Sequence, residues 1–200
     1  MKTKFFAAAL IAFGLLAGAA NAAVFRAVTV PGEQFTNNSW AFGTTFTVGT
    51  SNLSITSLGA YDAGLNGFST EGGIKVGIFH LSSGLLLGSA DVQSSDPLVG
   101  LYRYANASMT LLANQQYVLV AVSGLDPYML SGGTWSFNET DINFTDYRYQ
   151  VSSNLIMPSQ ANTEYDYGMG NFQYTVVPEP SSAILIGFGS FALAMRRRRI

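Results

Sequence analysis

Between residues 24 and 176, apolar and polar positions alternate in short runs, and no stretch sustains a helical period. The runs Val24–Val30, Trp40–Val48, Leu53–Tyr61, Ile74–His80, Leu85–Val92, Val99–Tyr104, Ser108–Leu112 and Tyr117–Ser123 read as strands. Thr134–Phe137, Arg148–Val151 and Phe172–Val176 are shorter runs of the same kind. Clusters of Gly, Asn, Asp, Ser and Pro separate them, and Ser82-Ser83-Gly84 and Ala113-Asn114-Gln115-Gln116 fit hairpin turns. Many short strands in one unit predict an all-β fold, a single antiparallel β-sandwich or jelly roll. A period of two turns Phe46, Val48, Ile55, Leu58, Val76, Ile78, Leu111, Tyr117, Leu119 and Ala121 inward. The step from Ile55 to Leu58 breaks that period and demands a bulge or a sheet corner. The absence of a fixed repeat argues against a propeller or β-helix.

The two ends follow other patterns. Lys2 and Lys4 precede an apolar run from Phe5 to Ala20, and Ala20-Asn21-Ala22 follows with small residues at Ala20 and Ala22. That order predicts a secretory signal peptide over residues 1–22, helical in its apolar part and cleaved after Ala22. At the other end, Pro178-Glu179-Pro180 holds an extended segment, because each proline fixes φ and removes a donor. Ala183–Met195 is apolar and Arg196, Arg197, Arg198 and Arg199 follow, which predicts a short transmembrane helix stopped by positive charge on the cytoplasmic side. The arrangement over residues 177–200 resembles the PEP-CTERM sorting signal of Gram-negative bacteria, read by the membrane protease-transpeptidase exosortase. The resemblance implies export across the inner membrane, transient anchoring by the C-terminal helix, and transfer to the cell surface or extracellular matrix. A plain membrane anchor with a proline hinge explains the helix and arginines equally well, but not Pro-Glu-Pro.

Composition narrows what lies between, residues 23–176. Only 11% of the 200 residues are charged, against about 25% in ordinary chains. The chain has no Cys and one His, which excludes a disulfide framework, a Cys-ligated metal centre and a His-rich metal site. Four basic residues (Arg26, Lys75, Arg103, Arg148) against eleven acidic ones leave this part at −7. Nucleic acid is therefore not an expected partner, since phosphate binding needs clustered cations.

Residues 40–122 resemble a small exported β-sandwich module of the DUF4082-like kind. The resembling segments are Phe46-Thr47-Val48, Ile55 to Asp62, Val76-Gly77-Ile78-Phe79, Gly84 to Ala90 and Leu111–Val122. This resemblance implies a fold and an exported setting, and no activity.

Candidate chemistry is sparse. Catalysis by His80 needs Ser82 or Ser83 and an Asp brought in by folding, and no nucleophile-elbow motif supports it. Asp62, Asn66 and Glu71, on a Gly-rich loop, form a candidate Ca²⁺ site; the simpler reading is a turn in which Asp62 bonds backbone amides. Glu139 to Asp146 alternates acid with apolar and reads as a Ca²⁺ loop, a sugar-groove rim with Trp135, Phe137 and Tyr147, or an exposed strand with an acidic face. The pairs Tyr102/Tyr104 and Tyr147/Tyr149 suit saccharide stacking or a protein interface, and at least one pair is expected in the core. No catalytic residues and no obligatory cofactor are assigned. The function expected is a non-enzymatic adhesive or exopolysaccharide-associated surface protein. The alternative is an exported carbohydrate-active enzyme on a jelly roll, for which two facing carboxylates in a cleft are required.

Overall fold

The computed structural model describes residues 22–178. The signal helix with Ala20, the residues Glu179 and Pro180, the helix 183–195 and Arg196–Arg199 lie outside the described residues. Within them the protein is all-β: β1 (Ala23–Val24), β2 (Arg26–Val30), β3 (Glu33–Phe35), β4 (Trp40–Val48), β5 (Leu53–Tyr61), β6 (Ile74–His80), β7 (Leu86–Val92), β8 (Leu98–Val99), β9 (Tyr102–Leu111), β10 (Gln116–Val122), β11 (Tyr128–Ser131), β12 (Thr134–Phe137), β13 (Ile142–Val151), β14 (Gln160–Asn162) and β15 (Gly170–Val176). A five-stranded sheet runs β1-β15-β5-β9-β8 and a six-stranded sheet β14-β13-β4-β10-β6-β7. Two ribbons, β2–β12 and β3–β11, complete the sandwich, and all pairings are antiparallel.

The period of two works as expected. Phe46, Val48, Ile55, Leu58, Val76, Ile78, Leu111, Tyr117, Leu119 and Ala121 are all buried in one cluster with Phe25, Phe172 and Tyr174. The break between Ile55 and Leu58 is a register shift between Ile55 and Ser57 against β9, which leaves Thr56 exposed. Without it, either Ile55 or Leu58 would point away from the core.

The strand boundaries differ from expectation in several places: Val24–Val30 divides at Phe25 into β1 and β2 of different sheets, and Val99–Tyr104 divides at Gly100-Leu101 into β8 and β9. β9 runs unbroken from Tyr102 to Leu111 across Ala105-Asn106-Ala107, the gap expected between the runs Val99–Tyr104 and Ser108–Leu112. β13 begins at Ile142, so the acidic stretch through Asp146 is mostly strand paired to β4. The ribbon β3–β11 has no alternating pattern of its own.

β10 is buried on both faces. Tyr117, Leu119 and Ala121 join the main cluster, while Val118, Val120 and Val122 form a second one with Ala41 and Phe79. Leu155, Ile156 and Met157, between β13 and β14, cover that second cluster. A glycine admits this strap: a Cβ on Gly77 would stand 2.8 Å from Leu155 Cδ2.

Pairing also fixes the ends. β4, β6, β9 and β15 finish where β5, β10 and β13 begin. The turns 49–52, 112–115 and 138–141 therefore share one end with Val176. The loops 62–73, 93–101 and 123–127 form the opposite end.

Candidate functional site

The C-terminal exit is held by backbone. Val176 pairs with Leu53, and the Val177 N–H donates to the Asn52 carbonyl at 2.8 Å. Asn52 is itself fixed, because its Oδ1 accepts from the Ala113 N–H at 2.8 Å. Asn114 adopts a φ of 59°, a conformation asparagine tolerates, and bonds the carbonyls of Val48 and Gly49. Pro178 thus stands one residue beyond a backbone hydrogen bond to the sheet, with no linker between domain and Pro-Glu-Pro.

The opposite end carries Asp62. It is buried, and its Oδ2 accepts from the Gly67 N–H at 2.9 Å and from Arg103 Nε at 2.7 Å. The other two guanidinium nitrogens of Arg103 donate to the carbonyls of Asp96 and Leu65. The positive charge beside Asp62 is therefore the Arg103 guanidinium, and the carboxylate organises the turn; its Oδ1 is buried without a partner. Asn66 is exposed on the same loop and lines a depression with Gln34 and Asp126, whereas Glu71 lines a different one of about 460 Å³ with Lys75 and Asp91. Among the described residues, no three His, Cys, Asp or Glu side chains gather closely enough to hold a metal ion. No motif announces Asp126, which caps this loop through the N–H groups of Ser69 at 2.6 Å and Thr70 at 2.9 Å.

The aromatic and acidic stretch is built around Arg26, another residue without a motif to announce it. Arg26 is 1% exposed and has no carboxylate within ion-pair distance among the described residues. Its guanidinium donates to Thr44 Oγ1 at 2.9 Å and the Tyr167 carbonyl at 3.2 Å. It lies 5.4 Å from the ring centroids of Trp135 and Phe137 and 5.6 Å from that of Tyr147, where ring quadrupoles stabilise a desolvated cation. The rings expected on a sugar rim thus face a buried arginine. Burial pushes the Tyr147 hydroxyl upward, partly offset by Arg26, and raises Asp166 for the same first reason. Tyr102 and Tyr104 are core, as is expected of at least one tyrosine pair. Desolvation pushes Tyr102 up to about 12, against a smaller lowering by Arg26. Two acids of the stretch are engaged locally, while Glu139 is exposed: Asp141 accepts from Asn138 and from the Tyr174 hydroxyl at 3.1 Å, and Asp146 lies 3.4 Å from Arg148 Nε.

His80 sits at the exit end. Its Nδ1 is 2.9 Å from Ser83 Oγ and 3.4 Å from Ser82 Oγ, and its Nε2 is 3.5 Å from Gln115 Oε1, so the groups paired with its nitrogens are two hydroxyls and an amide. A catalytic cleft between Asp62–Glu71 and Trp135–Tyr149 would need both segments in its walls; four depressions among the described residues are each lined by at most one of them.

No curated protein gives a significant match to the chain. The terminal segment does match a known signal: residues 176–199 are a PEP-CTERM protein-sorting motif, which marks the chain as an exported protein processed by exosortase.

Proposed function

We propose that the sandwich is a non-enzymatic display module with an adhesive or exopolysaccharide-associated role, held at the inner membrane by its C-terminal helix until exosortase transfers it to the cell surface or matrix. The observation that carries this reading is the direct passage from β15 into the sorting motif, with Val177 still bonded to Asn52. A module so attached moves with whatever its C-terminus is joined to. Residues 23–176 carry a net charge of −7, which suits hydroxyl-rich partners more than nucleic acid. One observation favours the enzymatic alternative: Glu71 and Asp91 line the same depression. Both are exposed, whereas a glycosidase acid is kept protonated by an apolar pocket.

The test is expression of the full chain in a host carrying exosortase, with intact mass and location of the mature product measured. Wild type should lose Arg196–Ile200 and be recovered with the matrix. Glu179→Gln removes a charged acceptor worth about 1.5–3 kcal/mol, so processing should slow by about ten- to a hundredfold. Product that keeps Arg196–Ile200 in the membrane would reduce the motif to an anchor. Glycan cleavage that Glu71→Gln abolishes would replace the display reading by the enzymatic one.

A further inference from the structure

Two turn leucines stand at the end of the sandwich from which the chain leaves. Leu112 is 55% exposed, and its turn is tied to the exit: the Ala113 N–H donates to Asn52 Oδ1, and the Asn52 carbonyl accepts from the Val177 N–H. The Leu112 N–H donates to the Tyr117 hydroxyl at 2.8 Å, which holds this turn in place. Leu85 is 62% exposed. It closes the turn 81–85, where its carbonyl accepts from the His80 N–H and the Leu81 N–H donates to the Gln116 carbonyl. The strands that bear these leucines also meet across the sandwich, since a Cβ on Gly88 of β7 would stand 2.7 Å from Met109 Cε of β9. The turns 49–52, 81–85, 112–115 and 138–141 contain no Lys or Arg. Their acids are Glu139, which is exposed, and Asp141, which Asn138 and the Tyr174 hydroxyl engage.

Single exposed leucines are ordinary; these two differ in how near lipid they are held. Residues 178–182 separate Val177 from the apolar segment that begins at Ala183. Six steps of chain cover at most about 22 Å, and the headgroup layer itself takes up about 5–7 Å of that distance. The opposite end of the sandwich has no such tether. β4 and β5 are nine residues each, which sets that end roughly 30 Å farther off. Its exposed Leu125 lies in a depression with Glu71, Lys75 and Asp91. We propose that, while the chain is anchored, the exit end of the sandwich seats on the bilayer, with Leu85, Leu112 and Val177 in the headgroup layer. Turns without Lys or Arg make this an apolar contact that places no demand on anionic lipid. Pro178, one residue beyond Val177, is thereby held at the lipid surface. The proposal rests on the anchor reading of residues 183–199 given above.

Single-cysteine probes test it, because the chain has no Cys of its own. The full chain, exported from a host without exosortase so that it keeps its C-terminal segment, is reconstituted into phosphatidylcholine vesicles carrying a quencher at the headgroup or in mid-chain. A fluorophore is attached through Thr50→Cys, Leu125→Cys or Ser190→Cys; Thr50 is exposed in the exit turn 49–52. The headgroup quencher should dim the Thr50 probe and leave the Leu125 probe bright, in low and high salt alike. The mid-chain quencher should dim the Ser190 probe. Replacing Leu85 and Leu112 together by Asn should keep the thermal midpoint near wild type, since both are exposed, and should return the Thr50 probe to the Leu125 level. A Thr50 probe no more quenched than the Leu125 probe overturns the proposal, including the case in which a second copy of the chain covers the leucines. Quenching that survives the double substitution, or that high salt removes, overturns it too. A Ser190 probe left bright would bring down the anchor reading itself, and the seating with it.

Discussion

Tyr102→Phe tests whether the ring that packs near Arg26 is closed to water. The Tyr102 hydroxyl donates to the Gly168 carbonyl at 2.8 Å and the residue is 2% exposed. Deleting the oxygen leaves that buried carbonyl unpaired, a loss of about 1–3 kcal/mol. The pH dependence supplies an independent measure. Burial raises the phenol from 10.0 to about 12, so the folded state keeps its proton after the unfolded state has lost it. The resulting stability is present in full below about pH 10 and is lost as pH rises towards about 12. At about pH 11 the folding equilibrium has weakened roughly tenfold, a loss of about 1.4 kcal/mol. Phenylalanine has no such proton. In urea titrations, the advantage of wild type over Tyr102→Phe should therefore narrow by about 1.4 kcal/mol between about pH 9 and pH 11. A buried tyrosine that does not interact with Tyr102, such as Tyr174, is raised in both proteins and cancels in the difference. Parallel pH profiles, or a gap that widens with pH, would show that the ring is not shut away from solvent.

Arg26→Lys keeps the charge but loses the fork that reaches both Thr44 and the Tyr167 carbonyl. The more strongly hydrated ammonium should cost about 3–5 kcal/mol, and Arg26→Met should cost less because no charge is left buried. A lysine variant melting with wild type would mean that water enters the site. At Asp62, Ca²⁺ at about 1 mM should leave the thermal midpoint unmoved, since Arg103 already balances the carboxylate. A rise that Asp62→Ala abolishes would assign the loop to calcium instead.

Local rules are enough for much of the sandwich. Alternation selects the inward residues of β4 and β6, where Phe46, Val48, Val76 and Ile78 face the main core. The spacing of Ile55 and Leu58 announces the bulge for the same reason. Features that depend on partners distant in sequence are less legible. The ribbon β3–β11 is short, and its pairing joins residues far apart in the chain. The strap over Val118, Val120 and Val122 leaves a trace, since a strand apolar on both faces needs a second cover; the identity of Leu155–Met157 as that cover does not. Arg26 illustrates the limit best. A lone arginine in an apolar strand looks like an edge residue, and only folding brings Trp135, Phe137 and Tyr147 around it. Aromatics whose placement suggests a surface function are in fact the solvent for that buried cation. The sorting signal is legible because its parts are contiguous and its chemistry is that of lipid and charge, with no fold required.

The position of β15 between β1 and β5 has a consequence for the timing of export. Secretion delivers a chain from its N-terminus, so β1 and β5 arrive outside long before the strand that must lie between them. The same delay separates Arg26 from Asn171, whose side chain pairs with its backbone from 145 positions away. Until residues 170–176 emerge, β1 has no neighbour in its sheet and β5 keeps an open edge, which exposes the unfinished domain to aggregation and proteolysis. Closure of the five-stranded sheet thus coincides with delivery of the sorting motif, which begins at Val176. A chain truncated or stalled before β15 lacks both the strand that completes its fold and the sorting motif that follows it.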